Sequence, residues 1–316
     1  MTEMIAARVA FGETLVELGR QNENIVVLDA DLAPSSRVDM FQQAFPERFF
    51  QVGIAEQNMI GMAAGLSTLG FIPVTATFAC FASTRVLDQI RVVVAQPRLN
   101  VKMAGAYIGI LAGKTGKTHQ AIEDISALRG LPNIVILSPA DGNEMRAAVR
   151  AMIEYDGPVY LRVGRDPWPV FMPDNQFVIG KSTVLCEGSD VTIISTSIMT
   201  TQALLASQKL ADEGISAHIV NVSTIKPIDV EGIVAAAEKT GLVVTAEDHN
   251  IYGGLGAAVA EVLGEHRPTL MRRVGIRDTF AETAGNPELI GKYGLTPEDI
   301  VRAAKDLLDA RERRAR

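Results

Sequence analysis

Short apolar runs alternate with longer helix-like stretches along most of this chain. The apolar runs are NIVVLDAD, FIPVTATFA, NVKMAGAY, NIVILSPAD and PVYLRVG in the first half, and DVTIISTS, SAHIVNVS and LVVTAED in the second. Stretches such as EQNMIGMAAGLSTLG, NEMRAAVRAMIEY and DVEGIVAAAEKTG lie between them and have the length and composition of helices. A strand followed by a helix, repeated many times, predicts a parallel sheet with helices on both faces.

The alternation is interrupted around residues 166–188, where the segment RDPWPVFMPDNQF is rich in proline and has no period. Such a composition is typical of a linker. A chain of 316 residues is also long enough for two domains. We therefore predict two doubly wound α/β domains, residues 1–175 and residues 185–316. Within the first domain, Asn143 follows a strand and a turn and is predicted to cap the next helix.

Composition argues against several classes of partner. The net charge is −7 at pH 7, which disfavours a general affinity for nucleic acid or anionic membranes. No stretch reaches the roughly 20 apolar residues of a membrane span, and the N-terminal MTEMIAARVA lacks the apolar run of a signal peptide. The two cysteines, Cys80 and Cys186, show no metal-ligand spacing and suit a reducing compartment. We expect a cytoplasmic protein.

Two glycine-rich segments invite a nucleotide-binding interpretation. LAGKTGKTHQ contains Gly-Lys-Thr twice, but a phosphate loop needs a glycine five positions before the second one, and those positions are Ile108 and Leu111. NIYGGLGAAVAEVLG follows a strand, yet a dinucleotide fingerprint would place Val259 at its third glycine. We favour a flexible loop for the first segment and a tightly packed strand-to-helix turn for the second.

The run FFQVGIAEQNMIGMAAGLSTLG places Glu56 at the start of a helix that is apolar almost all round, which predicts a buried helix. A buried carboxylate needs a partner, whereas a Glu in a first turn also simply stabilises its helix. Phe78 and Phe81 follow the next strand and are three residues apart. Taken alone, they fill a core or form the wall of a binding site, and both interpretations stay open.

Several of these motifs, taken in order, resemble the transketolase family. VGIAEQNMIGMAAGL, TATFACF and THQAIEDISALRGLPNIVILSPADGNE are similar to the pyrimidine-binding domain of transketolases. STIKPID and VVTAEDHNIYGGLGAAVAEVL are similar to the C-terminal domain of transketolases and deoxyxylulose-phosphate synthases. The G-D-G motif of the family's diphosphate-binding domain does not occur in the sequence. The resemblance therefore implies the C-terminal subunit of a split transketolase, whose other half is a separate chain.

The resemblance implies a thiamine diphosphate site shared between the two chains. Glu56 matches the family Glu that bonds the aminopyrimidine ring of the coenzyme and promotes its imino form. Phe78 and Phe81 match the aromatic pocket around that ring, and Thr84 stands where a third aromatic residue is usual. Asp31 matches an acidic residue close to the coenzyme and the dimer contact. The Mg²⁺ or Ca²⁺ ligands are expected on the partner subunit, so no metal site is expected here.

The resemblance also implies a substrate site. His119, in the THQ motif, matches the histidine that faces the donor sugar's hydroxyl groups and can move protons. Three further residues match those that grip a sugar phosphate, and arginine suits a two-pronged grip on an oxyanion: Arg8, Ser35 and Arg165. The reaction implied is the transfer of a two-carbon ketol unit from a ketose to an aldose.

Two departures from the family pattern predict an unusual substrate. A family His near the phosphate falls on Gly105, and a family Asp that contacts the acceptor's α-hydroxyl falls on Thr115. We expect a branched, deoxy or otherwise altered sugar, or a sulfonate in place of the phosphate. An α2β2 heterotetramer with the diphosphate-binding subunit is the assembly that the resemblance implies.

Two other functions stay open at this point. The β subunit of a 2-oxo-acid dehydrogenase shares both domains and the Glu, although its loop histidine typically lies in a Tyr-His-Ser-type run. A non-catalytic assembly subunit can keep the fold, although the presence of Glu56, both phenylalanines and His119 disfavours it. The length of the chain disfavours a complete single-chain deoxyxylulose-phosphate synthase.

Overall fold

The computed structural model describes residues 3–175 and 177–315. In chain order, the strands are β1 (Met4–Ala6), β2 (Ile25–Asp29), β3 (Phe49–Gln51), β4 (Ile72–Phe78), β5 (Lys102–Ala106), β6 (Val135–Leu137), β7 (Val159–Val163), β8 (Pro167–Pro169), β9 (Thr183–Cys186), β10 (Val191–Ser195), β11 (Ala217–Asn221), β12 (Thr224–Lys226), β13 (Leu242–Asn250) and β14 (Leu270–Ile276).

The helices pack on both sides of these strands. In chain order, they are α1 (Ala7–Gln21), α2 (Ala33–Ser36), α3 (Asp39–Ala44), α4 (Glu56–Thr68), α5 (Leu87–Gln89), α6 (Asp124–Arg129), α7 (Gly142–Glu154), α8 (Met199–Asp212), α9 (Val230–Thr240), α10 (Leu255–His266), α11 (Asn286–Lys292) and α12 (Pro297–Ala315). Short 3₁₀ turns span Pro46–Arg48 and Gly113–Thr115, and π-helical segments span Phe81–Arg85 and Ile90–Ala95.

Two sheets organise the chain. The first has the strand order β12-β6-β7-β5-β4-β2-β3, and its strands from the first half of the chain all run parallel. The second has the order β14-β13-β10-β11-β9, with β9 antiparallel to β11 and the other neighbours parallel. Strands such as β2, β5, β7 and β10 are buried along their whole length, as expected for parallel strands covered on both faces. The predicted doubly wound α/β class is confirmed.

The two halves of the chain share a sheet. Strand β12 lies beyond residue 185 but pairs antiparallel with β6 of the first sheet, with Thr224 opposite Leu137. The side chain of Lys226 extends this contact, because its ammonium donates to the backbone carbonyl of Arg129 at 2.8 Å. The domain limits 1–175 and 185–316 remain a prediction. Because β12 pairs with β6, the two halves of the chain are joined by backbone hydrogen bonds.

The start of α7 differs from expectation. The N-cap is Asp141, whose carboxylate accepts the backbone N–H of Glu144 at 2.9 Å, and the helix begins at Gly142. Asn143 therefore lies inside the first turn, where its amide donates to the carbonyl of Met172 at 3.1 Å. The prediction that Asn143 caps this helix was wrong because Asp141 offers the same capping chemistry two residues earlier.

The burial predicted for α4 is only half right. Met59, Ile60, Ala63 and Ala64 are buried, but Met62 is 36% exposed, and the neighbouring glycines of the helix also face outwards. An all-round apolar helix is normally buried, whereas this chain covers just one side of α4.

Arg162, on β7, lies at the centre of a fully buried network of charges. Its Nε donates to Asp124 at 2.8 Å and its Nη1 donates to Asp248 on β13 at 2.9 Å, with all three side chains almost completely enclosed. The hydroxyl of Tyr160 also donates to Asp124, at 2.9 Å. Burial by itself raises the pKa of Asp124, but the Arg162 charge, His249 and the hydrogen bonds from Arg162 and Tyr160 together hold that pKa below its ordinary value. The network joins the first half of the chain to the second.

Glu144 makes a second buried link between the halves. Its carboxylate accepts from Ser223 Oγ at 2.7 Å, from Asn221 Nδ2 at 3.0 Å and from the N–H of Ala140 at 2.6 Å. Burial raises the pKa of Glu144 to about 7 in spite of these donors. The folded protein therefore holds a proton at this carboxyl at pH values where the unfolded chain, with an ordinary value near 4.5, has released it.

We expect the free energy of unfolding to fall as pH rises from about 5 to about 7, by roughly 2–3 kcal/mol for the Glu144 proton. Below pH 4.5 both states bind the proton, and above pH 7 neither does, so the slope is confined to this window. The variant Glu144→Gln should lose that part of the slope. The measurement is denaturant unfolding of the wild type and the variant across pH 4.5–8.

Other buried groups also titrate in or near this pH range. The comparison of wild type with Glu144→Gln is therefore needed to isolate the contribution of Glu144. Glu247 contributes a slope of the same sign, since burial raises its pKa to about 7. His249 contributes a slope of the opposite sign between about pH 4 and pH 6.5, since burial lowers its pKa from the ordinary 6.5 to about 4. Glu154→Gln, at the exposed end of the same helix, is the control. Parallel pH profiles for wild type and Glu144→Gln would contradict the assignment.

Candidate functional site

The predicted site residues collect at one edge of the first sheet. Neighbouring parallel strands β2, β4, β5 and β7 end there, at Asp29, Phe78, Ala106 and Val163. The carboxyl ends of parallel strands open onto the crevice in which α/β proteins bind ligands. Each strand is followed by a loop or turn that carries one or more of the residues identified from the sequence.

An aromatic wall lines this edge. Phe78 is 6% exposed at the end of β4, and Phe81 opens the π-helical turn that follows, with their ring centres 6.0 Å apart. Tyr107 packs against Phe78 at 4.4 Å, and the ring of His119 meets Phe78 and Phe81 edge-on at 5.6 and 5.5 Å. The structure therefore brings together both predicted phenylalanines and the predicted histidine, and adds Tyr107.

Glu56 lies at the first position of α4 and is 3% exposed. Its Oε1 accepts from Nη1 of Arg85 at 2.8 Å. Arg85 ends the turn that begins at Phe81, and its guanidinium carbon lies 4.1 Å from the centre of the Phe81 ring. The buried acid is thus connected to the aromatic wall through an arginine that the sequence did not point to.

The loop that carries His119 is fastened to the second half of the chain. The N–H of Gly113 donates to Asn286 Oδ1 at 3.1 Å, and Asn286 Nδ2 donates to the carbonyl of Leu111 at 2.9 Å. The side chain of Gln120 donates to the carbonyl of Glu282 at 3.2 Å. His119 itself is partly exposed, with Nδ1 2.8 Å from the Thr118 hydroxyl. Segment 282–286 therefore sets the position of the histidine's loop.

The three residues expected to grip an anion also lie together. Arg8 donates through Nε to the carbonyl of Arg165 at 3.0 Å and through Nη1 to the carbonyl of Ser35 at 3.1 Å. The guanidinium of Arg165 lies 5.3 Å from the centre of the Tyr107 ring, which connects this group to the aromatic wall. Lys114, Arg165 and Asp166 line a recess of about 410 Å³, in which the two cations outnumber the one carboxylate.

The positions that depart from the family pattern differ in their surroundings. A side chain at Gly105 would begin 2.3 Å from the Tyr160 hydroxyl, so that hydroxyl occupies the space of the expected histidine. Thr115 is exposed and donates to the carbonyl of Ala112 at 2.6 Å. Thr84 is also exposed and donates to the carbonyl of Cys80 at 2.5 Å. Both threonine hydroxyls therefore have backbone partners of their own.

The acidic residues after β2 divide into a buried one and an exposed one. Asp31 is exposed, has a positive φ of 64°, and donates its N–H to Gln51 Oε1 at 3.0 Å. Asp29 is buried, and its Oδ2 accepts from Leu32 N–H at 2.9 Å and from Gln51 Nε2 at 2.7 Å. In the described ranges its Oδ1 is buried without a partner, and burial raises the pKa of Asp29. This second acid was missed because its position is typical of the end of a buried strand.

The second glycine segment supports the packing interpretation. At the N-terminus of α10, the backbone N–H groups of Leu255 and Gly256 donate to the Glu247 carboxylate at 2.7 and 2.9 Å. A side chain at Gly254 would begin 2.0 Å from Glu247 Oε2. The chain's own carboxylate thus occupies the place that a phosphate needs in a dinucleotide-binding fold.

Two further observations concern metal binding and membrane-spanning helices. Among residues 3–175 and 177–315, no group of three or more His, Cys, Asp or Glu side chains is arranged to hold a metal ion. Within the same ranges, no helix combines the length and the apolar character needed to cross a bilayer. The thiols of Cys80 and Cys186 are free.

Comparison with known proteins identifies the family. The model "Transketolase, pyrimidine binding domain" matches residues 3–169, and "Transketolase, C-terminal domain" matches residues 180–300. The chain is 46% identical over 303 residues to the 6-deoxy-6-sulfo-D-fructose transketolase subunit SqwH of Clostridium sp. (strain MSTE9), covering 96% of this chain and 94% of that protein. It is 39% identical over 307 residues to one of the subunits of the apulose-4-phosphate transketolase of Phocaeicola vulgatus, covering 96% and 98%.

A solved structure described as a split gene transketolase in an inactive β4 tetramer superposes on the chain with a TM-score of 0.90. The two are 50% identical, and the likeness covers 96% of this chain and 99% of the other. The two transketolase models together span most of the sequence. The expected resemblance is confirmed: this chain belongs to the transketolase family, as a C-terminal subunit of the split type.

Proposed function

We propose that this chain is one half of a two-chain transketolase, which transfers a two-carbon ketol unit from a ketose to an aldose with thiamine diphosphate. The observation that carries the proposal is the buried carboxyl of Glu56, which Arg85 joins to the wall of Phe78 and Phe81. The proposed catalytic residues are Glu56 and His119, and the enzyme is proposed to be active only with its N-terminal partner subunit.

The residues present fit the pyrimidine half of this coenzyme. A planar ring with nitrogen atoms at its edge needs an aromatic surface and a carboxyl at its rim, and Phe78, Phe81 and Glu56 supply both. When bound, thiamine diphosphate supplies the carbanion chemistry that breaks and forms the carbon–carbon bonds. Glu56 would hold a proton at its carboxyl against the ring nitrogen, and the two phenylalanines would orient the ring. Asp31 is proposed to lie near the coenzyme and the subunit contact.

The remaining site residues are proposed to hold the sugars. His119 has a partly exposed ring at the wall, where an imidazole can bond a sugar hydroxyl and move a proton. Arg8, Ser35 and Arg165 are proposed to hold the anionic end. The Arg8 side chain donates to the backbone carbonyls of Arg165 and Ser35, which holds its guanidinium in place before a substrate arrives and lowers the cost of binding.

The substrates are proposed to carry a phosphate or a sulfonate. One relative is named for a sulfonated ketose and the other for a sugar phosphate, so the family accepts both kinds of anion at a similar level of sequence identity. Glycine at position 105 and threonine at position 115 replace two polar family contacts. We therefore propose a sugar whose stereochemistry or substitution differs from that of the usual transketolase substrates.

The partner is proposed to be an N-terminal subunit that holds the diphosphate and its Mg²⁺ or Ca²⁺, in an α2β2 assembly. The inactive tetramer named for the solved relative consists of β chains alone, which supports the need for a second subunit. The exposed side of α4 offers a surface that such a subunit can cover. A cytoplasmic location remains part of the proposal.

The test compares the chain alone with the chain co-purified with its partner. Calorimetry with thiamine diphosphate and Mg²⁺ should show binding only for the pair, because this chain provides one side of the coenzyme site. The pair should transfer a ketol unit to aldoses, with kcat/KM at least about tenfold higher for phosphorylated or sulfonated acceptors than for neutral ones, since charge-assisted contacts contribute about 1.5–3 kcal/mol.

Three outcomes would contradict the proposal in different ways. Tight, metal-dependent coenzyme binding by the lone chain would refute the split site. Turnover of a 2-oxo acid, with ketoses inert, would favour a dehydrogenase β subunit. A stable complex that binds the coenzyme but turns over none of these donors would favour an assembly subunit without catalysis.

A further inference from the structure

Arg85 makes two contacts at once. Its Nη1 donates to Glu56 Oε1 at 2.8 Å, and its guanidinium lies over the face of Phe81, 4.1 Å from the ring centre. The two partners are the acid and one of the aromatic residues assigned to the coenzyme's pyrimidine. One side chain of the protein therefore engages both groups at which the coenzyme ring is proposed to bind.

The chemistry of the two occupants is similar. A guanidinium is planar, carries N–H donors along its edge, and stacks on aromatic faces. An aminopyrimidine is also planar, presents an amino group and ring nitrogens at its edge, and stacks in the same way. A carboxyl next to a phenylalanine face can bind either group, accepting from the N–H groups of a guanidinium or donating to a ring nitrogen of the pyrimidine, and it cannot bind both in one place.

Burial explains why the free chain uses an arginine here. Glu56 is 3% exposed, and an unpaired carboxylate at that depth is costly. Among the described residues, Arg85 is the side chain that donates to it. The Arg85 side chain itself is 44% exposed, so the pair has one fixed, enclosed member and one member that borders solvent.

We propose that the Arg85 guanidinium occupies the place of the coenzyme's aminopyrimidine in the coenzyme-free chain, and that the coenzyme displaces it on binding. The inference rests on the proposed function. Displacement needs only a rotation of the Arg85 side chain into solvent, because backbone carbonyls and not the guanidinium hold the turn. The carbonyl of Thr84 accepts from the N–H of Val86, and the carbonyl of Arg85 accepts from the side-chain amide of Gln57 at 3.3 Å. Arg85 protects Glu56 until the subunits and coenzyme assemble.

The test measures coenzyme affinity in the complex with the N-terminal partner. For Arg85→Ala, the Kd of thiamine diphosphate at saturating Mg²⁺ should fall by about three- to tenfold, because a half-exposed ion pair and one cation–π contact no longer compete. Arg85→Lys should give an intermediate Kd, since an ammonium keeps the charge but does not stack as a plane. Arg91→Ala, at an exposed arginine just beyond this turn, should leave the Kd unchanged.

Two further readouts separate competition from a structural role. In the lone chain, Arg85→Ala should lower Tm by about 2–4 °C, because Glu56 loses its partner. In a Glu56→Gln background, Arg85→Ala should no longer tighten coenzyme binding, because the neutral amide does not hold the guanidinium, and a double-mutant cycle reports this directly.

The outcomes that overturn the inference are distinct from those that overturn the function. Weaker coenzyme binding by the Arg85→Ala complex would make Arg85 part of the coenzyme's own site, and an unchanged Kd would show that it does not compete. In both cases the wild-type complex still binds and the proposed function stands. A wild-type complex that does not bind the coenzyme would instead refute the function and the inference together.

Discussion

Replacing Glu56 by glutamine is expected to lower kcat of the assembled enzyme by about 10²–10⁴-fold, while the subunits still fold and associate. Glutamine has nearly the same shape and keeps a hydrogen bond to the ring edge, but its amide cannot accept and return a proton. The buried position of Glu56 makes the effect specific, since water has little access to replace the carboxyl. The measurement is steady-state ketol transfer by the complex, together with calorimetric coenzyme binding.

Glu23→Gln is the matched control, because Glu23 is an exposed acid between α1 and β2, away from the sheet edge that carries the site. It should retain full turnover. Circular dichroism and gel filtration confirm that each variant folds and assembles. Turnover of Glu56→Gln within a factor of two of the wild type would remove Glu56 from the mechanism, and with it the main support for the proposed function.

Replacing Arg162 by methionine is expected to lower the free energy of unfolding by about 3–5 kcal/mol or more. The guanidinium is fully enclosed and pairs with Asp124 and Asp248 at 2.8 and 2.9 Å, so its loss leaves two buried carboxylates without their cation. Methionine fills much of the volume but donates nothing. The loss should be larger at pH 8 than at pH 5, because an unpaired buried carboxyl takes up a proton more readily as pH falls.

Two controls test whether the loss of stability depends on the burial of the ion pair and on the carboxylates left without a partner. Arg150→Met breaks a partly exposed ion pair to Glu17 at 3.1 Å and should change stability by less than about 1 kcal/mol. The triple variant Arg162→Met with Asp124→Asn and Asp248→Asn should recover part of the loss, since it removes the unpaired charges as well. Guanidinium unfolding of the four proteins measures this. Equal effects for Arg150→Met and Arg162→Met would show that the network carries no special stability.

The network also bears on function, because it connects the sheet that ends in the site to the half of the chain that fastens the His119 loop. Arg162 lies on β7, two strand neighbours away from β4, which ends at Phe78. Asp248 lies on β13 of the second sheet, and Asn286 reaches the loop from the segment that follows that sheet. The relative position of the halves therefore decides where His119 stands against the aromatic wall.

Local sequence was sufficient to predict the architecture, and the family resemblance supplied the candidate site residues. The alternation of apolar strands and helices predicts the doubly wound class, since each strand and helix has its own period and length. Glu56, Phe78, Phe81 and His119 were recognised from short motifs. The structure brings the two phenylalanines and His119 together at one sheet edge, and it connects Glu56 to Phe81 through Arg85. The grouping of Arg8, Ser35 and Arg165 was also expected from matching positions.

Only the tertiary structure decided what these residues touch. The pairing of Glu56 with Arg85 joins residues 29 positions apart, and Gly113 meets Asn286 across 173 positions. Periodicity records which side of an element is apolar, but it holds no information on which distant side chain will face a buried charge. The outward side of α4 and the Tyr160 hydroxyl beside Gly105 follow from packing in the same way. A buried polar group takes whichever partner the folded chain brings within hydrogen-bonding distance, and that choice is made between elements that are far apart in sequence.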